Sequence, residues 1–471
     1  MVKVSITRML RKYITGRYTF DKASLKKILS ENYPLLSVLI GFVLVALSIG
    51  PYQNGDTAWE YDAASGVIKW GLPYANGFYL MDQPPLGFYI QAVFFKVFGL
   101  SINNGTFLVT LFGLGCVVLV YGVGKVVYNR TAGFFAALLF AFSPWHLILS
   151  RTFLIDAPCL FFSLFSLFVG IIAIRKDSFK LFIASGIIFT AAFSTKLYAV
   201  FTLIPLLLFF FYYRPKKLKH MLSWLGAFSL PVLSFSYLWY VTISGLGVTS
   251  IVAHTDFTVH NPSTVVPSNF FVGNFLINYG LGWFFIDAVI LSLLVCLMQR
   301  SLFHKFIVFD ITCLAVIVCV IGVNTYLGAG LNLKAPYLNA IKYDYQSLPF
   351  FSFLAASLIS KSILLFNSAK TKRKLSKLFV FFIASVGLVL VASSIFYNMR
   401  YEHLFSPSNY LLFRVEPNVN MGYSLFNSTP ISENSFLMGV QYLGFAFALS
   451  GLVWACRHKI NLLLKRSRQT T

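Results

Sequence analysis

From Pro34 onward the chain alternates long apolar runs with short polar breaks, and the runs approach the ~20 residues a helix needs to cross a bilayer. Twelve spans are legible, near residues 34–50, 105–127, 131–149, 157–174, 181–197, 199–213, 221–242, 275–297, 306–326, 346–366, 378–396 and 436–456, the fifth and sixth short and nearly fused. Within lipid the backbone must satisfy its own hydrogen bonds, so the pattern predicts an all-α polytopic membrane protein of about 12 transmembrane helices.

The breaks are unequal. Long segments fall at 51–104, 243–274 and 398–435, with a shorter one at 327–345; the breaks on the opposite side are short and basic, such as RPKKLKH after Tyr213 and KTKRKLSK after Ala369. This divides the chain into a basic N-terminal segment (1–33), a first half (34–215) carrying the first long loop, a second half (216–456) carrying the other three, and a basic tail (457–471). Long loops over a helix bundle are where a site would be built.

Composition agrees with the runs: 58% of the 471 residues are hydrophobic and 11% charged, against roughly 25% charged in soluble domains, which excludes a soluble protein. The 38 Lys and Arg against 15 Asp and Glu give a formal charge of +23. With both termini cytoplasmic, most basic residues fall on the inner side, as the positive-inside rule requires. The charge therefore reads as orientation and contact with anionic inner-leaflet lipid, and no nucleic-acid partner is expected. The six cysteines lie within or at the ends of apolar runs without a CxxC pair, as small core residues do. The basic stretch MVKVSITRMLRKYITGRYTF lacks an apolar segment of its own, so the first span is expected to act as a signal anchor.

The first long loop reads GDTAWEYDAASGVIKWGLPYANGFYLMDQPPLG between Gly55 and Gly87, and it concentrates carboxylates in a chain that otherwise avoids charge. Thr57 to Trp70 has helical spacing, with Trp59, Ala63, Val67 and Trp70 forming an apolar stripe and Glu60 and Asp62 lying off it, as in a helix resting in the membrane interface. Gly71, Pro73, Asn76 and Gly77 break it. PPLGFYIQAVFFKVFG then opens a second helix, too short to span and expected to lie along the membrane as well.

Four places could carry chemistry. Asp56 opens the first loop helix, as a cap or a base, with Glu60 one turn further on the same face. In SRTFLIDAP, Arg151 and Asp156 sit close to hydrocarbon, where charge is costly and defaults to function, although Asp156 also suits a first helical turn and Arg151 an interfacial anchor. Lys196 in STKLYAVFTLIP either reaches to the surface or holds an anion. NAIKYDYQSLP puts Lys342 beside Asp344, with Tyr343, Tyr345 and Gln346 at the start of the tenth span; an aromatic belt accounts for the tyrosines but not for the charges. His254, Asp256 and His260 imitate a zinc site without a register or a further ligand. Asn104-Gly-Thr and Asn427-Ser-Thr are glycosylation sequons on the outer side, Asn129-Arg-Thr one on the inner, and no phosphate-binding glycine loop is visible.

In their order along the chain, GDTAWEYDAA, GLPY, DQPPLGFYIQAVFFKVFG, RTFLIDAP and STKLYAVFTLIP resemble the GT-C class of membrane glycosyltransferases, within it the group of protein O-mannosyltransferases and the lipid A aminoarabinose transferase. The resemblance covers roughly the first 215 residues by motif and the rest by topology. It implies two juxtamembrane helices in the first outer loop. It also implies inverting transfer of a sugar from a polyprenyl-phosphate donor to a hydroxyl of a protein Ser or Thr, a lipid or a glycan, at the outer face of the cell membrane. No cofactor is implied, and dependence on a divalent metal is left open. Asp56 would be the base and Asp156 would orient the acceptor or hold a cation, with Glu60, Gln83, Arg151, Lys196, Lys342 and Tyr345 meeting substrate. Two departures matter. The family's Asp-Glu pair is Asp56-Thr57 here, which leaves the second carboxylate to Glu60 or to no residue, and Gln83 stands where relatives often have His or Lys, removing a cationic phosphate contact. The competing expectation is a transporter or flippase of lipid-linked sugars, which would put ionisable groups at mid-span, where Asp287 lies.

Overall fold

The computed structural model describes residues 22–48, 55–75, 77–79, 83–213, 218–246, 300–328, 342, 344–368 and 435–468, and they are helical almost throughout. In chain order these are α1 (Lys22–Ser48), α2 (Gly55–Trp70), the strands β1 (Tyr74–Ala75) and β2 (Phe78–Tyr79), then α3 (Leu86–Phe98), α4 (Ile102–Val127), α5 (Arg130–Ala141) and α6 (Pro144–Ser150). There follow α7 (Asp156–Lys176), α8 (Phe179–Thr195), α9 (Leu203–Tyr213), α10 (Leu218–Leu246), α11 (Arg300–Gly328), α12 (Leu348–Ser368) and α13 (Ser435–Arg468). The expected spans at 275–297 and 378–396, with Asp287, His254, Asp256, His260 and Asn427, lie outside the described residues.

Five described helices are long and apolar enough to cross a membrane, at Glu31–Ser48, Ile102–Val127, Asp156–Lys176, Met221–Thr242 and Phe306–Asn324. Others are apolar but shorter, including Phe179–Thr195 and Leu197–Tyr213, the pair expected to be short and fused; a 3₁₀ turn over Leu197–Thr202 joins them. The run at 131–149 is not one helix. It divides between α5 and α6, because Pro144 cannot donate a backbone hydrogen bond and instead takes the first position of a new helix, where a missing N–H costs nothing.

The bundle is built on α4, which packs against α5 and α7; α7 continues to α8, α8 to α10, and α5 to α12, which meets α11. α1 pairs with α13 at the opposite end of the sequence. Without a hydrophobic driving force between helices in lipid, close backbone approach through small residues does the packing. A Cβ on Gly41 would lie 2.6 Å from the Gly444 carbonyl, and one on Gly444 would lie 2.8 Å from the Gly41 carbonyl. Gly444→Leu is therefore expected to cost about 1–3 kcal/mol and lower the unfolding temperature in detergent. Gly439→Leu, on the same helix with open space around it, is expected to change little.

A buried polar clamp joins three helices toward the end of the bundle where α4 finishes. Lys361 of α12 pairs with Asp310 of α11, both side chains wholly enclosed, and the Tyr128 hydroxyl donates to the other Asp310 oxygen at 2.5 Å.

The first loop folds as a helix, a hairpin and a second helix. Gly71 and Gly77 take positive φ values of 79° and 90°, which lets the chain turn out of α2 and around the hairpin. Gly66 allows the hairpin to lie against α2, since a Cβ there would come within 2.4 Å of the Tyr74 nitrogen. The expected apolar stripe divides in the structure. α2 buries Thr57, Glu60, Ala63 and Ala64, while Trp59 and Trp70 are 39% and 65% exposed. The inward face is the small and polar one, and it carries Glu60 into the protein.

Candidate functional site

At the end of the bundle where α4 begins, glycines draw the first loop onto the body. Gly87, at the start of α3, leaves no room for a Cβ, which would stand 2.5 Å from Ile155 and 3.2 Å from Thr195. Gly105 of α4 likewise accepts the ring of Phe153, so the turn from Arg151 to Ile155 is clamped between α3 and α4. These contacts bring the start of α7 and the end of α8 beneath the loop helices.

Two ion pairs lie there. Asp156, the first residue of α7, places both carboxylate oxygens on the Lys196 ammonium, at 2.8 and 2.9 Å, with side chains 4% and 6% exposed. The cap position of α7 is held by Ile155, and the Asp156 carboxylate, one residue on, is engaged by Lys196. Lys196 leaves α8 in extended conformation and turns its ammonium inward to Asp156 and not to the surface. The second pair joins residues far apart in sequence: Lys342 donates to Asp56 Oδ2. Here the Asp56 side chain is 37% exposed.

Glu60 lies among these charges, 7% exposed, with Gln91 of α3 donating to it at 3.5 Å. Burial pushes its carboxyl up to about 8; Asp156 and Asp56 add to the rise, and Lys196 and Lys342 oppose it. Glu60 is thus protonated at neutral pH. Burial also acts to raise the Asp56 carboxyl, but the charge and hydrogen bond of Lys342, with Lys196 behind it, outweigh that and hold it below its ordinary value.

The segment carrying Lys342 is itself anchored. Asp344 is fully buried, accepts a hydrogen bond from Asn324 of α11 at 2.5 Å, and its carbonyl accepts from Ser347. Burial pushes its carboxyl up to about 8. The unfolded carboxyl ionises near 3.8, so the folded state holds a proton that the unfolded state has released, and stability falls as pH rises between those values. Asp344→Asn, which mimics the neutral acid, is expected to flatten the slope of unfolding temperature against pH from 5 to 8. Each such proton is worth about 1.4 kcal/mol per pH unit at most. Identical slopes in both proteins would contradict this assignment.

The remaining expected residues are placed differently. Gln83 stands ahead of α3 with its Oε1 buried and without a hydrogen-bond partner among the described residues. Arg151 is wholly enclosed and donates from Nη1 to Thr110 of α4 at 3.0 Å, so it is neither a surface anchor nor a surface phosphate contact. Tyr345 is 1% exposed and its hydroxyl is 2.7 Å from His146 Nδ1, inside the bundle. Gln91, Thr110 and Asn324 carried no signal in the sequence; each is a neutral side chain inside an apolar helix. Among the described residues no group of three His, Cys, Asp or Glu is arranged to hold a metal.

With this geometry in view, likenesses to known proteins can be set beside it. Residues 82–240 match the family model described as dolichyl-phosphate-mannose-protein mannosyltransferase, a segment that contains Asp156 and Lys196 but neither Asp56 nor Lys342. YkcB of Bacillus subtilis (strain 168), a candidate mannosyltransferase by its name, is 29% identical over 137 residues, 29% of this chain and 19% of its own length. YycA of the same organism, named in the same way, is 26% identical over 186 residues, 37% of this chain and 27% of its own. The matches thus span less than a third of those relatives. Apo ArnT from Cupriavidus metallidurans is similar in structure with a TM-score of 0.50 and 13% identity, over 92% of this chain and 77% of ArnT, which has also been solved bound to undecaprenyl phosphate. At that identity the likeness is one of fold.

Proposed function

We propose that this chain is a GT-C membrane glycosyltransferase that moves a sugar from a polyprenyl-phosphate donor to a hydroxyl acceptor at the outer membrane face, a reading supported by its matched segment and its fold. The observation that carries this is the convergence of Asp56, Glu60, Asp156, Lys196 and Lys342, from four separate segments, at one end of an apolar bundle. Such a donor keeps its lipid in the bilayer and its sugar phosphate at the surface, where α2 and α3 lie along the membrane. The acceptor is a protein Ser or Thr, a lipid or a glycan.

In the proposed reaction the acceptor oxygen attacks the anomeric carbon as Asp56 takes its proton, since an alcohol is too weak an acid to react unaided. The bond from the anomeric carbon to the phosphate oxygen breaks, and polyprenyl phosphate leaves with the electron pair. Direct displacement inverts the anomeric centre. Lys342 meets the phosphate, and Lys196, fixed by Asp156, adds positive potential where the negative charge grows. The phosphate is assigned to these ammonium groups, and no step to a metal.

A second reading, transport of lipid-linked sugars, draws on the Asp310–Lys361 pair inside the bundle, because charges within spans often mark a path. Tyr128 closes that pair into a helix clamp. Purified protein given a panel of polyprenyl-phosphate sugars and an acceptor is expected to release polyprenyl phosphate from at least one of them. Movement of donor between leaflets, without release from any donor, would favour transport.

A further inference from the structure

The two ion pairs of the site differ in one respect that bears on how it works. Asp156–Lys196 is closed, with both carboxylate oxygens engaged and almost no exposure. Asp56–Lys342 is open on the Asp56 side, where more than a third of the side chain is exposed. The groups that face Asp56 are Lys342 from the segment before α12, Lys196 at the end of α8 and Glu60 on α2 itself, with Asp156 behind Lys196. Two carboxylates and two ammonium groups cancel, and Glu60, whose carboxyl burial pushes up to about 8, adds no positive charge in either form. A phosphodiester monoanion entering this site therefore finds no net positive charge waiting for it. A base held by an ammonium group is also a poor base.

One movement resolves both difficulties. We propose that Lys342 changes partners, leaving Asp56 for the phosphate of the polyprenyl-phosphate donor, so that the base is released only when the donor is seated. Lys342 is suited to this: its ammonium rides on a flexible four-carbon stem, while the chain two residues on is fixed by Asn324 and Asp344. Lys196 cannot make the same exchange without leaving Asp156 buried and uncompensated. The consequence for the reaction is order. Without donor, Asp56 is masked and an acceptor hydroxyl or water is not activated; with donor, phosphate binding and base release are one event. This rests on the functional reading above, because it takes the donor phosphate as the anion that Lys342 meets.

The test needs no turnover. The carboxylate infrared band that disappears in Asp56→Asn is titrated in the purified full-length protein, with and without undecaprenyl phosphate. Removing an ammonium group from a carboxylate raises its midpoint by about 1–3 pH units, and a rise of that size is expected in the wild type when the lipid phosphate binds. In Lys342→Met the midpoint is expected to start high and move much less, and Lys342→Gln should behave in the same way if the Met variant fails to fold. An equal rise in wild type and variant would overturn the exchange, since the added anion alone would then account for it. No rise in wild type with lipid phosphate bound would overturn it as well. Inorganic phosphate at the same concentration is expected to leave the midpoint where it was; an equal rise would overturn the assignment to a lipid-borne phosphate. Failure of the functional reading looks different: the midpoint moves, yet no sugar is transferred from any donor.

Discussion

Replacing Asp56 by Asn is expected to lower sugar transfer by a factor of about 10²–10⁴ while leaving the protein folded and able to bind polyprenyl phosphate. The size follows from the role. A positioned base contributes that much by accepting the hydroxyl proton as the new bond forms, and an amide of the same shape cannot accept it. The fold should survive because the Asp56 side chain is 37% exposed and Asn has nearly the same shape, so its replacement opens no cavity. Gel filtration and unfolding in detergent check the fold, and lipid-phosphate binding checks the site. Folded, donor-binding Asp56→Asn protein with full transfer would remove Asp56 from the base role.

Breaking the buried pair should do the opposite, costing stability first. Asp156→Ala leaves the Lys196 ammonium enclosed with its carboxylate gone, and Lys196→Met leaves the converse; each is expected to cost about 3–5 kcal/mol. Replacing both, as Asp156→Leu with Lys196→Met, removes both charges together and should recover most of that stability, since a well-packed apolar pair can replace a buried ion pair. Transfer should not recover with it. A stable double variant that still transfers at the wild-type rate would make the pair a packing device and nothing more. Unfolding temperatures of the three variants, read beside their rates, separate these cases.

The sequence made the participants legible but not the pairs. Asp56, Glu60, Asp156, Lys196 and Lys342 each stood out because a charge beside hydrocarbon is expensive. Which charge meets which depends on contacts across 40 residues for Asp156 and Lys196 and 286 for Asp56 and Lys342, and no local spacing encodes those. The stripe on α2 divides between inside and outside for a physical reason. In water the apolar face of a helix turns inward, but at a membrane surface tryptophans can face the lipid interface, which leaves the inward face to Thr57, Glu60 and alanines. The inward contacts of Arg151 and Tyr345, with Thr110 and His146, were equally illegible, since they too join residues far apart in the chain. The described helices were legible from their apolar runs, apart from the break at Ser143–Pro144, where the run is continuous in hydropathy but not in hydrogen bonding.

The central claim is that a bond is made at the anomeric carbon with Asp56 as base. It is tested most directly by giving the purified wild-type protein a polyprenyl-phosphate donor labelled in the sugar, together with a hydroxyl acceptor, and following the label by NMR. The predicted result is labelled sugar on the acceptor with inverted anomeric configuration and free polyprenyl phosphate in equal amount. Label transferred with retained configuration, or label that crosses the bilayer still attached to its lipid, would contradict it.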